Sequence, residues 1–151
     1  MSVRYYDWIA HFGRRTPDKI AVHDLAGERR FSYAQFDARI SRLASHLRDA
    51  LGVISGDRVA VLALNTTDTL EVQFACGRLG AVFLPLNTRL TVPELQFIVG
   101  DSSPKVMIHD DDLAEIALTV AKLCNVASAL RLGAGGSYEA AIAGSVPLDR
   151  A

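Results

Sequence analysis

The sequence predicts an α/β chain in which a mostly parallel sheet is flanked by helices. Three observations carry this reading. The apolar runs at 59–64 and 81–84 are continuous rather than alternating, as in strands covered on both faces. The segment between them reads as a helix, which is how parallel strands are joined by a right-handed crossover. A third strand candidate, 105–109, follows one more helical segment.

Taken in order, Tyr5, Trp8, Ile9 and Phe12 recur at helical spacing, so a short helix with an apolar, core-anchoring stripe should precede Pro17. Residues 20–25 and 28–31 flank Ala26 and Gly27 and read as a hairpin. Ser32 and Gln35 have capping-box spacing, while Phe31 and Phe36 stand where a hydrophobic staple would place them. A helix should therefore run from Tyr33 to Leu51, with Phe36, Ile40, Leu43, Leu47 and Leu51 facing the core and Gly52 ending it. Asp37, Arg39, Arg42 and Arg48 fall mostly outside that stripe.

Ser55, Gly56 and Asp57 form the turn into the first parallel strand, and residues 65–68 break it and start a helix that Gly80 closes. Thr91, with Pro93 in the first turn and Glu94 three residues on, signals the next helix, which carries Leu95 and Ile98 inward. Residues 113–124 form an amphipathic helix, and 126–132 a further strand. Residues 133–151 read as a loop-rich tail with one short helix at 138–142.

At 151 residues the chain has room for one core, hiding roughly 70% of its unfolded surface, so residues 1–151 are taken as a single domain or subdomain. With 50% hydrophobic residues, 22% charged residues and a net charge of -1, the composition is that of a globular chain. It offers no electrostatic reason to expect nucleic acid or an anionic membrane as partner. No signal peptide is evident at the start, and no apolar run approaches the roughly 20 residues of a membrane span, which makes the cytoplasm the expected location. Cys76 and Cys124 lie far apart without the close spacing of a zinc or dithiol site and read as core residues.

Three features invite a sharper chemistry. The stretch Gly133-Ala134-Gly135-Gly136 is rich in glycine but lacks the spacing of a dinucleotide fingerprint, so it reads as a turn. His109-Asp110-Asp111-Asp112 offers metal-ligand atom types in a row. Successive residues rarely converge on one ion, and the cluster falls where a strand meets a helix, so compensation of the helix dipole is the plainer reading and no metal is expected. His11, His23 and His46 have no nucleophile nearby in sequence that would make a triad.

The wording of the sequence goes further than its periodicity. Gly56-Asp57-Arg58-Val59-Ala60-Val61-Leu62, Gly77-Arg78-Leu79-Gly80-Ala81-Val82 and Pro85-Leu86-Asn87-Thr88-Arg89-Leu90 occur in that order. They are preceded by Arg15-Thr16-Pro17-Asp18-Lys19-Ile20 and Phe31-Ser32-Tyr33, and followed by Thr91-Val92-Pro93-Glu94-Leu95 and Ser103-Pro104-Lys105-Val106. As an ordered set, over about residue 4 to about residue 110, they resemble the N-terminal part of the large domain of the AMP-forming acyl-CoA synthetases, within the adenylate-forming superfamily.

That resemblance implies a parent enzyme that uses ATP, magnesium and coenzyme A to convert a carboxylic or fatty acid to its acyl-CoA through an acyl-adenylate. The Ser/Thr/Gly-rich phosphate loop ending in Pro-Lys-Gly is absent from this sequence, as are the family's ribose-binding aspartate and mobile C-terminal domain. The expectation is an N-terminal piece of a larger ligase, inactive alone and with no cofactor of its own. Such a piece would self-associate through the face meant for the missing half. The resemblance assigns one site residue, Arg89, as a contact to the nucleotide phosphates of coenzyme A; the plainer reading is a surface arginine paired with a neighbour. Relatives that load a carrier protein or oxidise a luciferin-like substrate remain open, as does a non-catalytic binding or dimerisation module that reuses the fold.

Overall fold

The computed structural model describes residues 6–25 and 27–149. The elements are α1 (Trp8–Arg15), β1 (Ile20–Asp24), β2 (Arg29–Ser32), α2 (Tyr33–Ser45) and β3 (Arg58–Leu62). Then come α3 (Thr67–Leu79), β4 (Val82–Pro85), α4 (Val92–Ser102), β5 (Val106–His109), α5 (Ala114–Leu123), β6 (Ser128–Arg131) and α6 (Ser137–Gly144). β1 and β2 form an antiparallel hairpin, and the other four strands make one parallel sheet in the order β4-β3-β5-β6. The expected parallel sheet between helices is what is found.

Side chains leave a strand alternately to its two faces, and here that alternation sorts two cores. Val59 and Val61 of β3, Val106 and Ile108 of β5 and Leu130 of β6 point to one face, where Phe36, Ile40, Leu43, Val72, Cys76 and Tyr138 cover them. Ala60, Leu62 and Met107 point to the other, under Leu95, Val99, Ala117 and Val120. So α2, α3 and α6 lie on one side, and α4 and α5 on the other. After β4 the chain returns across β3 to form β5, and a constant crossover hand then requires the connecting helix to change face.

Local chemistry explains the boundaries. At the start of α2, Ser32 Oγ accepts the Gln35 N–H and the Gln35 side chain accepts the Ser32 N–H, while Phe31 stacks on Phe36 at 6.4 Å. The helix does not continue uniformly to Leu51: residues His46–Ala50 form a π-helical turn, in which Leu51 N–H donates to His46 O. Gly52, at φ 65°, then ends it. α3 ends at Gly80, at φ 67°, a left-handed position where glycine is free of Cβ strain. Thr91 and Glu94 form the capping box of α4. β4 contains Pro85, tolerated because β4 is an edge strand.

One expectation is corrected. Tyr5 lies outside the described residues, and Trp8 is not part of a core-anchoring stripe: it is 57% exposed, while Ile9 and Ala10 are buried. Gly13 lets α1 approach α2 so closely that a Cβ there would lie 3.3 Å from that of Asp37. This contact sets the rotation of the helix and leaves Trp8 outside, against Tyr6 and Phe12.

Candidate functional site

In open parallel sheets, ligands gather outside the carboxyl ends of the strands where the strand order reverses. Here the order reverses between β3 and β5. A groove of about 790 Å³ opens there, lined by Ala63 and Leu64 after β3, Asp110, Asp111 and Asp112 after β5, and Leu132, Gly133 and Ala134 after β6. Asp110 fastens this junction. Its carboxylate accepts the N–H of Leu64 at 3.1 Å and that of Leu113 at 3.0 Å, joining the β3 exit to the start of α5. Asp111 pairs with Arg131 at 3.0 Å, and among the described residues no group of three potential metal-ligating side chains converges.

The floor of the groove is an ion-pair network. Arg39, from α2, donates to both oxygens of Glu71 and to both of Glu139, the latter at 2.7 and 3.0 Å. Arg29, from β2, donates to Asp68 at 2.9 Å, Thr67 at 3.0 Å and Asp24 at 3.3 Å. The phenol of Tyr138, fully buried, donates to Glu71 at 2.8 Å. The Arg39 guanidinium also lies over the Phe31 ring, 4.8 Å from its centre.

Burial and pairing pull these groups in different directions. Burial holds the Glu71 carboxyl above the usual carboxylate range even with Arg39 against it. Burial also works against the Arg39 charge, but the hydrogen bonds to Glu139 and Glu71 outweigh it and raise its pKa. Glu139, more open to water, is held below its ordinary range, first by the hydrogen bond from Arg39. Burial pushes the Cys76 thiol up to about 12, which fits its expected place in the core.

With both arginines saturated by carboxylates and Asp24, Asp68, Asp110, Asp111, Asp112 and Glu139 around them, the groove presents net negative charge. A polyphosphate would be repelled here. The network reads as a lock between the hairpin, α2, α3 and α6. Periodicity misses it because Arg39 stands outside the core stripe of α2. A signal is present all the same: positions 68, 71, 72, 75 and 76 make one helical stripe, and Asp68 and Glu71 occupy two of its five places, so buried cationic partners are required.

Arg89 lies elsewhere, on the loop between β4 and α4, at the carboxyl end of the edge strand. It is exposed, and its guanidinium makes no hydrogen bond or ion pair with any described residue. The loop beneath it is ordered by its own bonds: Leu86 N–H donates to Val61 O at 2.8 Å, and Arg89 N–H to Asn87 Oδ1 at 3.0 Å. A free guanidinium on a fixed loop suits a phosphate oxygen pair.

The expected turn at Gly133–Gly136 is present, with Gly136 preceding α6. Three of the four histidines have local partners: His11 with Tyr6 and His23 with Arg30, while His109 Nδ1 lies 2.8 Å from Asp110 O.

A parallel sheet with a reversing strand order, covered by helices on both faces, places the chain in the open α/β class. Residues 9–144 match the AMP-binding enzyme family, and the chain belongs to it. A feruloyl-CoA synthase from Amycolatopsis sp is 45% identical over 114 residues, covering 76% of this chain and 23% of that protein. The long-chain-fatty-acid–CoA ligase FadD13 of Mycobacterium tuberculosis is 45% identical over 80 residues, 53% of this chain and 16% of that one. Among solved structures, the N-terminal domain of FACL13 from Mycobacterium tuberculosis superposes with a TM-score of 0.85 at 28% identity, covering 95% of this chain and 36% of that one. ATP-bound MatB from Rhodopseudomonas palustris gives 0.74 at 32% identity, covering 95% and 30%. The chain thus corresponds to a fraction of the length of its relatives.

Proposed function

We propose that the chain is the N-terminal part of the large domain of an AMP-forming acyl-CoA synthetase working in the cytoplasm. Its substrate class is carboxylic acids, fatty acids among them. In that enzyme a substrate carboxylate oxygen would bond to the α-phosphorus of ATP and release pyrophosphate, and the coenzyme A sulfur would then displace AMP from the acyl carbon. Magnesium would screen the phosphate charge in the first step.

This chain's share is a scaffold and one contact. The two-sided sheet holds the β4–α4 loop rigid, and Arg89 projects from it toward the nucleotide phosphates of coenzyme A. The observation that carries the reading is the family match over 9–144, with an unpaired Arg89 guanidinium on an anchored loop. The chain alone lacks the sequence elements that grip ATP, so adenylate formation needs the rest of the enzyme.

The test is a kinetic split in the full-length ligase. Arg89→Ala should raise the apparent KM for coenzyme A by roughly tenfold, the factor of one charge-assisted hydrogen-bond pair, and leave that for ATP within twofold. Equal changes for both substrates would refute the assignment.

A further inference from the structure

The loop that presents Arg89 is fixed on either side of it. Leu86 is buried among the residues of the α4 and α5 layer, and its N–H donates to Val61 O of β3 at 2.8 Å. Leu90 packs on the same cluster, and its N–H donates to Asn87 O at 3.2 Å, closing a four-residue turn over 87–90. Immediately after, Thr91 and Glu94 cap α4.

Within that turn one side chain acts on the backbone. Asn87 Oδ1 accepts the Arg89 N–H at 3.0 Å, the Asx-turn bond in which an asparagine side chain holds the residue two positions on. Asn87 itself is exposed and buries no side chain in either core. What its side chain does, therefore, is fix the direction in which the Arg89 Cα–Cβ bond leaves the loop. A side chain that starts from a fixed stem loses less freedom when its tip is captured, so affinity rises without a new contact.

We propose that Asn87 is the positioning residue for Arg89, holding the loop so that the guanidinium meets a coenzyme A phosphate. This rests on the reading of Arg89 as a coenzyme A contact. It predicts that the two residues act as a unit, and a unit shows itself by non-additivity.

The experiment is a double-mutant cycle in the full-length ligase: wild type, Asn87→Ala, Arg89→Ala and the pair, with steady-state KM for coenzyme A and for ATP. Asn87→Ala should raise the coenzyme A KM by about two- to tenfold, the factor of one hydrogen bond, with kcat and the ATP KM within twofold. On the Arg89→Ala background it should add nothing. Asn87→Ser, whose hydroxyl can accept the same N–H, should restore most of the loss and serves if the alanine variant folds poorly. An effect of Asn87→Ala that persists undiminished beside Arg89→Ala, or a parallel loss in kcat and both KM values, or no rescue by serine, would overturn the proposal. If Arg89→Ala leaves the coenzyme A KM unchanged, the contact itself is wrong and the positioning role falls with it. If Arg89→Ala acts and Asn87→Ala is silent, only the positioning role falls.

Discussion

At the scale of single residues, the Arg39 guanidinium is the centre of the molecule's polar interior. It is mostly buried, faces the fully buried Glu71 and shares Glu139 with Arg29. Removing one partner of a buried pair leaves the other charge without compensation, which costs more than removing both. Arg39→Met should lower stability by about 3–5 kcal/mol, and the double variant Arg39→Met/Glu71→Leu should recover part of that loss. Urea unfolding monitored by circular dichroism measures both; an unchanged midpoint for Arg39→Met would show that the network is decorative. Arg39 also shows a limit of periodicity. A helix stripe identifies which apolar side chains go inward, but a long arginine beside the stripe can reach buried acids that come from a different element, and only the packing of α2 on α3 reveals it.

At the scale of elements, boundaries were legible wherever a cap or a glycine carries the information. Ser32 with Gln35, Thr91 with Glu94, Gly52 and Gly80 all stand where expected because each satisfies a specific orphan group or a positive φ. What escaped was geometry set between elements: the outward turn of Trp8, dictated by Gly13 against α2, and the π-helical turn after Ser45. Gly80 offers the clearest test of an element boundary. Its φ of 67° alone penalises a side chain by about 1–2 kcal/mol, and a Cβ would also lie 2.7 Å from Ser55 Oγ. Because Gly80 O also accepts the Gly56 N–H, the strain falls on the turn that starts β3. Gly80→Val should therefore lower the midpoint of thermal unfolding by several degrees in this chain; retention of the parent midpoint would mean that the turn can adjust.

At the scale of the whole molecule, the carboxyl edge of the sheet is divided by charge. The groove between β3 and β5 is acidic with its arginines saturated, whereas the loop after β4 carries a free one. Arg89 could be singled out from sequence because it sits in a motif on a loop; the acidic groove could not, because its carboxylates are scattered from Asp24 to Glu139 and meet only on folding. By this division the chain offers, among its described residues, no unpaired cation in the groove to meet a phosphate. Incubated alone with ATP, magnesium and a carboxylic acid, it should release no pyrophosphate, and a coupled phosphate assay that found turnover would contradict the proposed division of labour. The alternation along β3 has a consequence of its own. Val59 and Val61 serve one core, and Ala60 and Leu62 the other, while β3 bonds to strands on both sides. A one-residue slip would exchange the two interiors at once, forcing valine into the space shaped for Ala60 and alanine into the space of a valine. The central strand therefore acts as a parity check on the chain: insertions near it are tolerable only in the turns, where an odd count can be absorbed before the strand begins.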